Sequence, residues 1–514
     1  MSKFLRGTII LLIAGFITRA LGFINRIVIA RSLGEEGVGL HQMAFPTLML
    51  VVTVTQLGLP VAISKCVAEA DAVGDRYKIK KILVMSLFIT ISLSVIFTPS
   101  LIIFAPYLAD LLFTDSRVYY PLVAITPIIP IVAVSAVLRG YFQGKQNMKP
   151  FAISQVVEQT VRILFIAILA HLLLPYGIEF ATAGVMVASI LGELVSLFYM
   201  FTVFKIKKTI PIRKNYFKSL KAGKDVLKEL MSVAIPTTGS RLIGNISWFL
   251  EPIVVAHSLA LAGIADHIAT KQYGSLTGFA LPLLMLPSFV TFSLSTALVP
   301  AVSEAYSKRN FGLVEHRLQQ AIRFSLLTSG ISVIILYIFA EPLMSLMYGT
   351  SNGSQFLRIM APFFIFQSLQ APLQATLQAL DLAKAAMINS MIGAVVKLSV
   401  IFVLASQPQF GINGAAIGIM TSTVLVALLH FASVMKVIQF TLYVRDWIKL
   451  TIVTLLSGFA GYYIFKTCFL QEPFIMRLLI GIVITSIIYL VLLICTKLIH
   501  RSDLHHIPIV NKFL

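Results

Sequence analysis

The chain is 514 residues long and carries a formal net charge of +20, yet only 12% of its residues are charged and 58% are hydrophobic. A mean hydropathy of +0.91, with apolar runs of bilayer-spanning length from end to end, excludes a soluble globular enzyme. The placement of the basic residues, taken up below, fits membrane orientation rather than a nucleic-acid partner.

The chain opens on Gly7 to Arg31, GTIILLIAGFITRALGFINRIVIAR. The run is too long for a cleavable signal peptide, contains arginines and lacks a small-residue cleavage site. It is long enough to span a bilayer. Arg19 and Arg26 lie inside it, seven residues apart, which is two helical turns and therefore one face. A charge at mid-bilayer costs at least ~2.5 kcal/mol on insertion scales, and it is tolerated where it faces a partner or a wet cavity. Snorkelling to the interface accounts for Arg31; Arg19, about twelve residues from the helix start, points to a cationic inward surface.

Fourteen spans follow from the hydropathy pattern, at 7–30, 43–64, 82–104, 120–141, 153–174, 181–204, 231–257, 276–300, 320–340, 356–379, 386–405, 412–435, 447–466 and 474–497. The expected fold is therefore an all-α integral membrane protein. Prolines fall inside several spans: Pro127 and Pro130, Pro236 and Pro252, Pro282 and Pro287, Pro362 and Pro372. Such breaks are stable in membranes when neighbours or a cavity satisfy the freed carbonyls, and they permit bending.

An even number of spans places both termini on one side, and basic residues decide which. The even-numbered connections hold Lys65, Arg76, Lys78, Lys80, Lys81, Arg139, Lys145, Lys149, the basic run over 205–229, and then Lys308, Arg309, Arg317 and Arg323. The odd-numbered ones hold Arg31, Arg117, Lys271, Arg358, Lys466 and Arg477. Both termini are thus expected in the cytoplasm. The 205–229 run is read as an orienting segment that also attracts anionic lipid head groups.

The chain also repeats itself. Thr18-Arg19-Ala20-Leu21-Gly22 recurs as Ser240-Arg241-Leu242-Ile243-Gly244, LRGYFQGKQNMKPFAISQVVEQTVRILF (138–165) resembles TLQALDLAKAAMINSMIGAVVKLSVIF (376–402), and GIEFATAGVMVASILGELVSLF (177–198) resembles GINGAAIGIMTSTVLVALLHF (411–431). The three matches keep their order at similar offsets. They imply two parallel six-helix lobes around a central cavity, related by an axis along the membrane normal. The N-lobe is expected over 1–204, a basic cytoplasmic linker over 205–229, the C-lobe over 230–437, and two added helices with a cytoplasmic tail over 438–514.

Within the spans the basic residues Arg19, Arg26, Arg162, Arg241 and Lys397 outnumber the acids Glu158, Glu193 and Glu251. The repeat relates Arg19 to Arg241 and Arg162 to Lys397. Glu158 and Arg162, four residues apart, can pair on one helix face. The excess is cationic, and guanidinium groups bind phosphate through a bidentate fork, so an anionic, phosphorylated substrate is expected. Asn25 and Asn245 stand near the repeated arginines, placed either to hydrogen-bond a sugar, to orient a guanidinium, or to join helices.

No Walker loop, HExxH, zinc spacing or nucleophile elbow occurs. Cys66, Cys468 and Cys495 read as small apolar side chains. His41, His171, His257, His267 and the His505-His506 pair read as ordinary polar residues. No catalytic residue, metal or cofactor is expected; secondary or potential-driven transport is, at ~2.3 kcal/mol per charge per 100 mV.

The opening FLRGTIILLIAGFITRALGFINRIVIARSLGEEGVGLHQMAFP, with QLGLPVAISKCVAE (56–69) and LRGYFQGKQNMKP (138–150), resembles the polysaccharide-transporter branch of the multidrug/oligosaccharidyl-lipid/polysaccharide exporter superfamily. Within that branch it looks closest to sporulation proteins of endospore-forming bacteria. The resemblance implies two lobes with alternating access. MurJ-type flippases of the same superfamily move lipid II, the undecaprenyl-pyrophosphate peptidoglycan precursor, through a cationic cavity, and two extra helices that the last two spans would match form a groove for the lipid tail. The first-span arginine of the TR-x-LGF pattern carries over to Arg19; the second cation is displaced by one position, to Asn25-Arg26, and spans 2 and 8 carry no arginine. The implied role is flipping a lipid-linked oligosaccharide for spore cortex synthesis, in the cell membrane or the one surrounding the developing spore. Membrane lipids and cell-wall glycosyltransferases or synthases are the implied partners. The alternatives are export of another polyprenyl-linked polysaccharide, a multidrug exporter, which the cationic excess disfavours, and a non-transporting scaffold for cortex enzymes.

Overall fold

In a bilayer every backbone polar group must be satisfied within the chain, and this sequence does so with helices. The computed structural model describes residues 3–206, 223–438, 444–468 and 471–498, and no strand occurs among them. Most of the basic linker (207–222) and the His505-His506 tail lie outside the described residues.

In chain order the helices are α1 (Lys3–Gln56), α2 (Leu59–Ala72), α3 (Arg76–Tyr107), α4 (Tyr119–Ile125), α5 (Ile128–Gly144), α6 (Lys149–Leu173) and α7 (Ile178–Ile206). After the linker come α8 (Lys224–Leu261), α9 (Asp266–Gly274), α10 (Leu281–Met285), α11 (Ser288–Ser307), α12 (Phe311–Ile338), α13 (Ala340–Tyr348) and α14 (Ser354–Met360). The last are α15 (Phe364–Ala379), α16 (Ala383–Ala405), α17 (Ile412–Met435), α18 (Val444–Thr467) and α19 (Phe474–Cys495).

Among the described residues 11 helices are long and apolar enough to cross a membrane, or 13 if each of two bent pairs is one span. The first of these, Ala14–Ala72, is 59 residues long and takes in most of the first expected span and all of the second. The connection expected over 31–42 is helical instead. It contains a kink at Gly34, whose φ of 63° is open only to a residue without a side chain at low cost. The second expected span is in turn broken at Leu57 and Gly58. Prolines act unequally: breaks fall at Pro127 and Pro287, and a 3-10 turn at Pro362, while Pro236, Pro252 and Pro372 stay inside continuous helices.

The repeat is written into the backbone as well as the residues. Left-handed positions recur in order: Gly34 with Gly263, Gly74 with Arg309, Thr114 with Gly349, Gln146 with Asp381, and Gly177 with Gly411. Helix starts match too. Asp75 caps α3 by accepting from Lys78 N, and Asn310 caps α12 by accepting from Leu313 N.

By packing, the described residues fall into two units. The first is Met1–Gly278 with Ser406–Ile412, and the second Phe279–Ala405 with Asn413–Leu514. In the first, α2, α3, α5, α7 and α8 share a core containing Leu59, Ile63, Leu83, Tyr141, Met200 and Leu230. On α7 a stripe of small residues, Gly184, Ala188 and Gly192, faces α6. Close backbone approach of this kind supplies the dispersion contact that holds helices together in lipid. The core of the second unit runs from Leu298 and Leu318 to Leu450, Val453 and Tyr489, so the two final helices are part of it.

Candidate functional site

Arg19 and Arg26 both stand exposed on α1, as their seven-residue spacing requires, while the neighbouring Asn25 turns inward and is buried. Among the described residues Asn25 Oδ1 has no hydrogen-bond partner. Arg241 is exposed on α8. Asn245, one turn further along, is half-buried and donates from Nδ2 to Thr53 Oγ1 at 2.5 Å. That bond gives Asn245 a helix-joining contact. Glu251 is buried two turns beyond Asn245 on the same helix.

Arg162 and Glu158 form an ion pair across one turn of α6. The pair sits where α6 and α7 touch backbone to backbone: a Cβ at Gly192 would meet Glu158 O at 2.8 Å and Arg162 Cβ at 3.2 Å. Glu193, the next residue on α7, is buried and accepts from Arg139 Nη2 of α5 at 3.0 Å. The charges of Arg139, Arg162 and Glu193 all act at Glu158, so the two pairs make one four-charge neighbourhood. The charges of Arg26 and Arg162 also both act on the His41 ring, which stacks on Phe45 at 5.5 Å. In the first unit Arg139 of α5, Glu158 and Arg162 of α6, and Glu193 of α7 thus stand together. Lys397, on α16, stands in the second unit.

Three residue sets escape a reading of the sequence. Arg139 lies within helix α5, before its end, and pairs with Glu193, 54 residues away, which no local spacing announces. A second set is Asp115, Arg117, Glu36 and Thr270. Asp115 is 5% exposed and accepts from Arg117 N at 3.1 Å, Arg117 Nε at 3.0 Å and Thr270 Oγ1 at 2.7 Å. Arg117 Nη1 reaches on to Glu36 at 2.6 Å. Burial alone would raise the Asp115 pKa, but the bonds from Arg117 and Thr270 outweigh it and hold the carboxyl below its ordinary range. The third set is in the second unit: Asn389 donates to Ser433 Oγ at 2.9 Å and meets the buried His430 Nδ1 at 3.2 Å.

Among the described residues no group of three His, Cys, Asp or Glu side chains is arranged to hold a metal. What the first unit can do chemically is present guanidinium groups on its apolar helices, Arg19, Arg26 and Arg241 exposed and Arg139 and Arg162 in ion pairs, with fewer carboxylates than cations.

The chain matches the model of the polysaccharide biosynthesis protein family over residues 4–306, and the MatE model over 256–403. It is 55% identical over 511 residues to stage V sporulation protein B of Bacillus subtilis (strain 168), covering 99% of both chains. It is 25% identical over 442 residues to the lipid II flippase MurJ of the same organism, covering 82% of this chain and 81% of that one. Among solved structures it is similar in fold to a lipid II flippase MurJ in an inward closed conformation, with a TM-score of 0.71 at 17% identity, covering 94% of this chain and 98% of that one. The chain is a member of the polysaccharide biosynthesis protein family.

Proposed function

We propose that the protein is a flippase that carries an undecaprenyl-pyrophosphate-linked oligosaccharide, lipid II for spore cortex synthesis, from the inner to the outer leaflet by alternating access. The observation that carries this reading is the cationic excess on the apolar helices of the first unit. Arg19, Arg26, Arg139, Arg162 and Arg241 lie on its apolar helices against Glu158, Glu193 and Glu251. Charges so placed are costly unless they serve a pathway, and arginine is the side chain whose planar fork matches a phosphate. The names of the two Bacillus relatives support the same reading, one a sporulation protein and one a lipid II flippase.

In this proposal Arg19, Arg26 and Arg241 take the pyrophosphate, and Arg162 and Lys397 are second candidates for contact with the substrate. Asn25 is a polar partner for the sugar or a guanidinium. Asn245 joins helices beside it, and Glu158, Glu193 and Glu251 balance part of the charge. The expected N-lobe and C-lobe carry the halves of the pathway, and both termini face the cytoplasm. The driving force is the membrane potential or an ion gradient, without a bound cofactor. Membrane lipids surround the protein, in the cell membrane or the one around the developing spore, and cell-wall glycosyltransferases or synthases are its partners.

The test is flipping by the purified protein in liposomes, with labelled lipid II in both leaflets and an enzyme or quencher that reaches only the outer one. Protein-dependent exposure that falls at least tenfold in Arg19→Ala and Arg241→Ala, and is partly kept in the lysine variants, is the expected result. Normal flipping in both alanine variants overturns the pyrophosphate assignment. No flipping at all, beside an active MurJ control under an imposed potential, shifts the reading to another polyprenyl-linked glycan or to a scaffold.

A further inference from the structure

The two halves of the repeat make the same pair of turns. Between α2 and α3, Gly74 N donates to Asp71 O and Asp75 N to Ala70 O; between α11 and α12, Arg309 N donates to Tyr306 O and Asn310 N to Ala305 O. After α5, Gln146 N donates to Gln143 O and Asn147 N to Phe142 O; after α15, Asp381 N donates to Gln378 O and Leu382 N to Leu377 O. Gly74, Gln146, Arg309 and Asp381 are all left-handed, with φ of 71°, 52°, 53° and 61°.

The side chains at these matched turns differ. In the first unit the place is shut. A Cβ at Gly144 would lie 2.7 Å from Ser64 O and from Val67 Cβ, so α2 and α5 touch there. Lys145 then pairs with Asp71 across the same contact. In the second unit Ala379 stands where Gly144 does, and its methyl group does not permit that approach. Ser303 Oγ of α11 reaches Ala379 O at 3.5 Å. The buried Leu380 takes the place of Lys145, and Tyr306 that of Asp71, so the bridging pair is replaced by an aliphatic and an aromatic side chain.

A cleft of about 410 Å³ opens instead, lined by Ser303, Tyr306, Ser307, Arg309, Phe311 and Asp381. That volume is within the ~300–1,000 Å³ of small-ligand sites. The cleft has two poles, the Arg309 guanidinium and the Asp381 carboxylate, and among the described residues no ion pair joins them. The neighbouring Lys308 is taken by Glu304 at 2.6 Å. Ser303 and Ser307 add hydroxyl groups, and Tyr306 and Phe311, edge to face at 6.0 Å, form an aromatic wall. Arg309 is held there against its backbone preference: a long side chain is strained at this φ, and Gly74 makes the same turn without strain.

These two connections are among those that the basic residues assign to the cytoplasm. Helix ends there stand at head-group level, where basic pockets between helices take up phospholipid head groups. A simple anion would need Arg309 alone and would be repelled by Asp381. A carboxylate beside a phosphate-binding arginine calls for a ligand with a cation a few atoms from its phosphate, since an ammonium makes the charge-assisted bond that a hydroxyl does not.

We propose that this cleft binds a phosphoethanolamine group, the head group of phosphatidylethanolamine, with its phosphate on Arg309 and its ammonium on Asp381. The site is separate from the proposed flippase substrate and does not depend on it; the cytoplasmic assignment sets only the leaflet that supplies the lipid.

The test uses the full-length protein, delipidated in detergent and given phosphatidylethanolamine or phosphatidylglycerol, with bound lipid counted by native mass spectrometry. Phosphatidylethanolamine occupancy is expected to fall about fivefold or more in Arg309→Ala and in Asp381→Asn, and less than about twofold in Lys308→Ala. The parent is expected to prefer phosphatidylethanolamine about fivefold over phosphatidylglycerol, and Asp381→Asn to lose most of that preference. A parent that holds both lipids equally, or an Asp381→Asn protein that keeps phosphatidylethanolamine, overturns the proposal. Arg309→Gly separates binding from folding, because it removes the guanidinium and relieves the left-handed backbone. Its melting temperature should equal or exceed the parent's while its phosphatidylethanolamine occupancy falls as in Arg309→Ala; normal occupancy in this variant overturns the proposal. Glycerophosphoethanolamine, the same head group without acyl chains, is then titrated as a competitor. Competition at concentrations well above the lipid's upholds the proposal with a membrane lipid as the ligand. A free compound that binds as tightly as the lipid upholds the head-group chemistry and assigns its source to solution. No competition while the lipid stays bound means that the acyl chains carry recognition, and overturns it. Lipid II enters none of these measurements, so their failure leaves the flippase reading standing.

Discussion

Thr270 Oγ1 donates to Asp115 Oδ2 at 2.7 Å across 155 residues of chain, joining the segment after α8 to the loop before α4. Both side chains are buried, Thr270 fully. Arg117 then links the same carboxylate to Glu36, so one acid ties three stretches of chain.

The first prediction follows from that carboxylate. Its pKa is lowered in the folded protein, so the ionised form is the one that stabilises. Its contribution is fully present above the unfolded carboxylate range, about pH 4, and is lost as pH falls through the lower folded value. Asp115→Asn should therefore cost about 1–3 kcal/mol at pH 7, and the difference from the parent should shrink on acidification below about pH 4. Thermal melting of the two proteins in detergent from pH 7 to pH 3 checks it. A difference that is constant over that range removes the charge from the explanation.

The second prediction concerns the buried pair on α5 and α7. The Glu193 side chain is 5% exposed and that of Arg139 is 25% exposed. Removing the arginine strands a buried carboxylate; removing the acid leaves an arginine that still reaches water. Arg139→Met should thus cost about 3–5 kcal/mol, and Glu193→Gln clearly less, about 1–3 kcal/mol. The double variant Arg139→Met/Glu193→Leu should recover most of the loss, since neither charge remains. Melting temperatures by fluorescence-detected size exclusion order the three. Equal losses in the two single variants would mean that the exposed end of Arg139 gains nothing from water.

Much of this architecture is legible in one sequence, for identifiable reasons. Span length and apolar runs are set by the bilayer, and the repeat shows as TRALG against SRLIG; the matched left-handed positions such as Gln146 and Asp381 show only in the backbone. The Glu158–Arg162 pair is legible because helical spacing makes it local. Arg139–Glu193 and Asp115–Thr270 are not, because nothing local distinguishes a residue that will meet a partner on another helix. Asn25 and Arg26 read alike as inward polar residues; one is buried and the other exposed because adjacent helical positions point about 100° apart. The continuity of α1 is not legible, because the polar SLGEEG segment reads as a loop, whereas one glycine at Gly34 is enough to turn a helix that otherwise continues.

The third prediction separates two glycines of α1. A Cβ at Gly39 would lie 2.0 Å from the Thr270 carbonyl, and one at Gly15 would meet nothing within 4 Å. Gly39→Ala must push α9 away from α1, so it should cost several times the ~1 kcal/mol of an ordinary substitution or prevent folding. Gly15→Ala removes backbone freedom from a helical position and should stabilise by roughly 0.5–1 kcal/mol. Yield of monodisperse protein and melting temperature, compared side by side, check both. A Gly39→Ala protein as stable as the parent would mean that the α1–α9 approach is not a fixed contact.

The fourth prediction concerns the two helices that lie outside the repeat. Tyr489 of α19 is 2% exposed, and its hydroxyl donates to Leu327 O of α12 at 2.8 Å. Gly330, one turn from Leu327, makes room for it: a Cβ there would stand 2.3 Å from the tyrosine oxygen. Lower on the same face Arg323 donates through Nε to Leu498 O at 3.2 Å, and Leu450 and Val453 of α18 are buried in the same core. The two added helices are thus a wall of the second unit. Tyr489→Phe keeps the ring and loses one buried hydrogen bond, so it should cost about 1–2 kcal/mol. Tyr489→Ala also opens a cavity and should cost about 3–5 kcal/mol. Deleting residues 444–498 should expose Leu318, Leu373 and Val434 and yield no monodisperse protein. A truncated protein that purifies as a stable monomer would show that α18 and α19 are dispensable to the second unit's fold.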